Sequence, residues 1–185
     1  KKAVDLARRD IANTLSVLPD EIIFTASGTE SVALAIHGIA NSFPKGHIVT
    51  TSVEHAAVLE NVHVLQKGKH PVTIVDAHAD GIVEPKDIDS AIRKDTILVS
   101  TIYVQNEIGA VHPLADIARV IRRERNRRRA GGEKTPLYFH TDACQAPEYM
   151  PMIIPRLGVD LLTLNGSKVY GPKGVGLLYK RRGVE

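Results

Sequence analysis

Apolar and polar positions follow two periods along this chain, and the two periods take turns. Val4, Ala7, Ile11 and Leu15 recur at helical spacing with charges between them, which predicts an opening amphipathic helix over residues 4–15. Compact apolar runs predict strands over 21–25, 47–50, 72–75, 96–104, 137–140 and 161–164, with one more apolar run over 175–179. Helical periodicity returns between them over 32–39, 55–66, 85–92 and 113–128, with a short helical stretch near 152–157. Regular alternation of this kind predicts an α/β fold, a mainly parallel sheet with helices on both faces, as one domain over residues 1–185.

In a sheet of that type ligands sit outside the carboxyl ends of the strands, so the residues just after each strand are the candidates for chemistry. They are Ala26-Ser27-Gly28-Thr29-Glu30-Ser31, then Thr51-Ser52-Val53-Glu54-His55, then Gln105-Asn106-Glu107-Ile108-Gly109, then His140-Thr141-Asp142-Ala143-Cys144-Gln145. The strand over 161–164 runs into Asn165-Gly166-Ser167-Lys168, which places one lysine on a tight turn between two apolar runs. Polar residues of mixed chemistry on one sheet edge mark a site rather than a solvated surface.

Taken singly, each of these groups has an ordinary reading beside the chemical one. A lysine held against buried strands loses hydration and becomes a usable nucleophile, yet most lysines at strand ends simply reach into water. Small residues between a strand and a helix offer free amides to a phosphate, and the same residues form a plain cap with Ser27 as N-cap and Glu30 three positions on. Asp142 reads as a cap, His55 as a helix-start residue and Asn106 as a turn former. Taken together and in this order, they meet the needs of a pyridoxal phosphate enzyme. Lys168 would carry the cofactor, Asp142 would keep its pyridine nitrogen protonated, and His55 would lie against the ring and pass protons. Asn106 and Gln145 would donate to the phenolic oxygen, and Gly28 and Thr29 would hold the phosphate.

Charge and composition remove other classes. No apolar run approaches the roughly 20 residues of a membrane span, and a hydrophobic fraction of 43% with 24% charged residues is that of a soluble globular protein. The single cysteine, Cys144, excludes an internal disulfide and a cysteine-based metal site, so no metal is expected and a cytoplasmic location follows from the reducing compartment. The net charge of +3 hides an uneven distribution: seven arginines against Glu124 give +6 over 119–129, and +3 less +6 leaves −3 elsewhere. Such a run is expected to be the solvated face and frayed end of a helix. No aromatic residue is interleaved for stacking on bases, which argues against nucleic-acid binding. The opening helix starts almost at the first residue without a cap, which predicts a chain cut from something longer.

Five stretches in register carry a resemblance over essentially the whole chain: residues 25–31, Val53-Glu54-His55, Gln105 to Gly109, His140 to Gln145, and Lys168 to Gly174. In that order they resemble the motifs of the cysteine desulfurases, NifS-like members of the class V aminotransferase group of pyridoxal phosphate enzymes. The resemblance implies the large domain of the fold-type I cofactor fold. It implies Lys168 and His55 as catalytic residues, and a cofactor site of Gly28, Thr29, His55, Asn106, Asp142, Gln145, Ser167 and Lys168. It implies removal of sulfur from L-cysteine to give L-alanine, a homodimer, and a sulfur-acceptor partner such as an iron–sulfur scaffold or a tRNA-thiolation protein.

Two departures qualify it. Many members have Ser-Gly-His-Lys where this chain has Asn165-Gly166-Ser167-Lys168, which keeps a hydroxyl for phosphate and loses an imidazole. The family's nucleophilic cysteine and its carboxylate-binding arginine come from a later part of the chain, and its opening segment precedes the first helix here. Cys144 is not that cysteine, and reads as a small buried hydrophobe. Residues 1–185 are therefore expected to bind cofactor without turning over cysteine. A selenocysteine lyase, another class V aminotransferase and a non-catalytic phosphate-binding module are the alternatives.

Overall fold

Every expected strand and helix forms, and the shifts at their ends have physical causes. The computed structural model describes residues 1–184. In order, the chain forms α1 (Lys2–Leu15), β1 (Ile22–Thr25), α2 (Gly28–Ser42), β2 (His47–Thr51), α3 (Ala56–Lys67), β3 (Val72–Val75) and α4 (Pro85–Ala91). It continues with β4 (Thr96–Ser100), α5 (Leu114–Ala130), β5 (Tyr138–Asp142), α6 (Ile154–Leu157), β6 (Leu161–Asn165) and β7 (Gly176–Lys180). The strands make one sheet in the order β1-β7-β6-β5-β4-β2-β3. Neighbours from β6 to β3 pair in parallel, while β7 is antiparallel to both β6 and β1. The connection from β6 to β7 holds only a single 3₁₀ turn, too little for a crossover, so β7 has to run back.

The period of two along the strands builds both halves of the core. Val49, Phe139, Leu162 and Leu177 face α1, α4, α5 and α6, while Ile48, Tyr138, Leu161 and Leu178 face α2 and α3. The stripe expected on the opening helix is only half used: Leu15 is buried together with Ala12, but Ala7 is exposed and Val4 is 50% exposed. Strand β4 stops at Ser100 instead of reaching 104. Past that point the Ile102 amide donates to Glu54 Oε1 at 2.7 Å instead of to a strand, and Val104 bridges to Val111 in a small hairpin.

The arginine run is only in part the frayed, solvated end that its charge predicts. Helix α5 continues to Ala130, and Arg128 is buried, donating to the carbonyls of Arg93, Thr96, Thr135 and Pro136 and pairing with Glu124. Arg125 donates to the Leu137 carbonyl at 2.7 Å and pairs with the buried Asp160. These two arginines fasten α5 to the sheet, while Arg119, Arg122, Arg123, Arg127 and Arg129 form the expected exposed face. On the surface, His78, Glu84 and Asp87 come close enough to suggest a cation site, but Asp87 already pairs with His78 and caps the Glu84 amide at the start of α4.

Two histidines lie inside the sheet, each between hydroxyls of neighbouring strands. His47 meets Thr96 Oγ1 at 2.8 Å and Thr73 Oγ1 at 2.9 Å. His140 meets Ser100 Oγ at 2.8 Å and Thr163 Oγ1 at 3.1 Å. Burial favours the neutral ring and pulls their pKa values down to about 4 and about 3 respectively. The unfolded chain takes up these protons near pH ~6.5, so the stabilisation is present above that pH and is lost as pH falls toward the folded values. Each histidine should withdraw on the order of 3 kcal/mol over that range. Urea unfolding followed by far-ultraviolet circular dichroism should show stability falling as pH drops from about 6.5 to 4. A midpoint unchanged across that window would contradict the placement.

Candidate functional site

The carboxyl ends of five strands open onto one cavity of about 150 Å³. Gly28 and Thr29 enter from beyond β1, His55 from beyond β2, Asn106 from beyond β4, Asp142 and Gln145 from β5, and Lys168 from beyond β6. Of the residues expected at the site, these line it. Ser167 does not, and its hydroxyl lies 3.3 Å from Asn165 Oδ1.

Each group is placed by local structure. Ser27 is the N-cap of α2: its side chain accepts from the Glu30 amide at 3.1 Å, and its carbonyl accepts from the Ser31 amide. The amides of Gly28 and Thr29, first in the helix, are thereby left as the donors with no acceptor inside it. The expected capping box closes one residue early, because Glu30 Oε2 accepts from the Ala26 amide at 2.6 Å. His55 is the N-cap of α3, with Nδ1 accepting from the Ala57 amide at 3.0 Å. A nitrogen that accepts carries no proton, so the neutral ring is protonated on Nε2.

Asp142 ends β5 and is buried, and its Oδ1 accepts from the Cys144 amide at 3.0 Å, which fixes the carboxyl's orientation. Asn106 stands at the tip of the hairpin past β4, where Gln105 Oε1 accepts from the amides of Glu107 and Ile108 at 2.6 and 2.7 Å. Lys168 closes a 3₁₀ turn whose N-cap is Asn165. It is exposed, so the loss of hydration expected for an amine between buried strands is not met in this chain.

Four cavity residues were not expected at the site from the sequence. Asn165, Ile102 and Ala57 line the wall, and Cys144 lines it while packing against Gly28. Burial pushes the Cys144 thiol up, and the nearby Asp142 charge pushes it further. A thiol so held is not a thiolate nucleophile, in keeping with its reading as a small apolar filler. Glu54, buried outside the lining of this cavity, was visible only as part of a motif, and a sequence does not announce which acidic residue will be buried.

The family pattern of aminotransferase class-V matches residues 1–185. The chain belongs to the aminotransferase class-V family. It is 42% identical to cysteine desulfurase IscS of Dictyoglomus turgidum over 187 residues, all of this chain and 45% of that protein. It is 41% identical to cysteine desulfurase IscS of Klebsiella pneumoniae over 184 residues, 98% of this chain and 43% of that protein. The chain thus spans about half the length of the curated relatives it matches. Among solved structures, SspA in complex with cysteine superposes with a TM-score of 0.90 at 37% identity, over 98% of this chain and 50% of that one. A NifS-like protein superposes at 0.89 and 33% identity, over 97% of this chain and 47% of the other.

Class-V aminotransferases are pyridoxal phosphate enzymes, and the donor set of the cavity fits that cofactor. Helix N-terminal amides suit a phosphate, a buried carboxyl suits a protonated ring nitrogen, an imidazole offers a flat face, and an amine suits an aldehyde. The fit at Gly28 is tight: a Cβ there would come within 2.9 Å of Cys144 Sγ and 3.2 Å of Asn165 Cβ. Gly28→Ala should therefore cost about 1–3 kcal/mol by overpacking, and Cys144→Ala in the same chain should recover most of the loss. Chemical unfolding of both variants checks this, and an unchanged midpoint for Gly28→Ala alone would refute the close packing.

Proposed function

We propose that residues 1–185 are the large, pyridoxal phosphate-binding domain of a cysteine desulfurase. Such an enzyme takes sulfur from L-cysteine, leaves L-alanine, and passes the sulfur to a cysteine elsewhere in the protein. One observation carries the reading. An amine, a carboxyl, an imidazole and a helix N-terminus, delivered by separate strand ends, line one cavity in a chain 41–42% identical to cysteine desulfurases. Selenocysteine lyases and other class V aminotransferases would share the cofactor residues, and that identity favours the desulfurase among them.

When bound, the cofactor supplies an electron-poor ring that accepts the charge left as bonds at the substrate's α-carbon break. Lys168 would hold the cofactor's aldehyde carbon through Nζ, and the same amine would serve to take and return substrate protons. Asp142 keeps a proton on the ring nitrogen by its negative charge. His55 would offer its flat face to the ring and the proton on Nε2. The amides of Gly28 and Thr29 would bind phosphate with the help of the Thr29 hydroxyl, and Asn106 and Gln145 would donate to the phenolic oxygen. Cys144 takes no part in sulfur transfer. A cytoplasmic location, a homodimer and delivery to an iron–sulfur scaffold or a tRNA-thiolation protein complete the proposal.

Addition of pyridoxal phosphate to the purified chain tests the cofactor reading. A visible absorption band should develop, Lys168→Ala should abolish it, and Asp142→Ala should weaken affinity at least about tenfold. A Lys168→Ala chain that develops the same band would rule the assignment out and favour a non-catalytic phosphate-binding module.

A further inference from the structure

Glu54 precedes His55, and unlike its neighbour it faces inward, with 6% of its surface exposed. Its Oε1 accepts two hydrogen bonds at once, from Thr51 Oγ1 at 2.8 Å and from the Ile102 amide at 2.7 Å. Thr51 is the last residue of β2, and Ile102 lies just past the end of β4. Those two strands are neighbours, and their register runs only as far as Val49 opposite Val99. Beyond that pair the backbones separate, one toward His55 and the other toward Ile102 and Asn106, all three of which line the cavity. The carboxyl of Glu54 bridges the separation where the ladder has stopped.

We propose that Glu54 is the positioning residue of this cavity, fastening the turn that presents His55 to the chain beyond β4 that presents Ile102 and leads to Asn106. A charged carboxylate would suit that task poorly, because Oε2 is buried with no hydrogen-bond partner among the described residues. Burial, reinforced by the charge of Asp142, raises the Glu54 pKa to about 8, even though the bonds from Thr51 and Ile102 pull the other way. At neutral pH the group is an uncharged acid. With Oε1 already accepting twice, its proton belongs on Oε2. The titratable groups at the cavity are Asp142 from β5, His55 on the same turn, and Cys144 and Lys168 from beyond β5 and β6, while Glu107 lines with Glu54 and His55 the adjoining pocket.

The tie holds with or without cofactor, while its consequence for the cavity rests on the pyridoxal phosphate reading, and two measurements separate the failures. In the cofactor-free chain, the Ile102 amide followed by ¹H–¹⁵N NMR between about pH 6 and 9.5 should shift with a midpoint near 8 as Glu54 ionises. That inflection should vanish in Glu54→Gln, which keeps the carbonyl acceptor. In the pyridoxal phosphate complex at pH 7, Glu54→Gln should keep affinity within about threefold of the parent, whereas Glu54→Met, of similar length but without an acceptor, should lose at least about tenfold. The visible circular dichroism of the bound cofactor should change in Glu54→Met and persist in Glu54→Gln, a difference that a purely stabilising role would not produce. If Glu54→Met does not fold, the Ile102 titration and the Glu54→Gln comparison still decide. An Ile102 amide with no pH inflection that Glu54→Gln removes, or a folded Glu54→Met chain with parental affinity and dichroism, would overturn the proposal. A parent chain that binds no pyridoxal phosphate would instead sink the cofactor reading, and the Ile102 titration would still judge the tie.

Discussion

Strand direction is the constraint from which the site follows. When strands are hydrogen-bonded in parallel, each must begin on the same side, so every loop that leaves a strand's carboxyl end is delivered to one edge. His55, Asn106 and Asp142 meet there although they are far apart in sequence. The reversed strand β7 completes the arrangement, because a short return from β6 keeps its turn, with Lys168, at that same edge. Gly176 lets β7 approach the start of α2 closely, since a Cβ there would run into the backbone of Ser27, the residue that caps α2.

Charge is handled differently away from that edge. Several buried polar groups in and beside the sheet are matched to close partners: His47 and His140 to hydroxyls, Arg128 to four carbonyls, Asp160 to Arg125 and Arg181. Breaking such a pair leaves a buried charge alone and costs far more than the pair itself contributes. At the carboxyl edge the opposite holds. Asp142 and Lys168 carry opposite signs on one cavity with no ion pair recorded between them among the described residues, leaving both available to a ligand.

Much of this was legible in the chain because periodicity reports which face of an element is buried. The alternation of apolar runs was enough for the sheet class, and the rule that ligands gather at strand ends was enough to collect the cavity residues. What stayed hidden depends on long-range partners. The arginines of α5 read as a solvated face because nothing local marks Arg128 as reaching the carbonyls beside β4. Strand β4 read as longer than it is because Glu54, 48 residues earlier, takes the Ile102 amide. The opening helix read as buried along a stripe that is covered only at Ile11, Ala12 and Leu15. Lys168 read as desolvated, and its turn holds it exposed.

The central claim is that one particular amine faces the cavity of Asp142 and His55. Incubation of the chain with pyridoxal phosphate, borohydride reduction and peptide mass mapping tests it directly, because reduction fixes the aldehyde carbon to whichever amine holds it. The added mass should fall on Lys168 in preference to the other lysines. Label spread evenly over surface lysines such as Lys45, Lys69 and Lys173, with none favoured, would contradict the account.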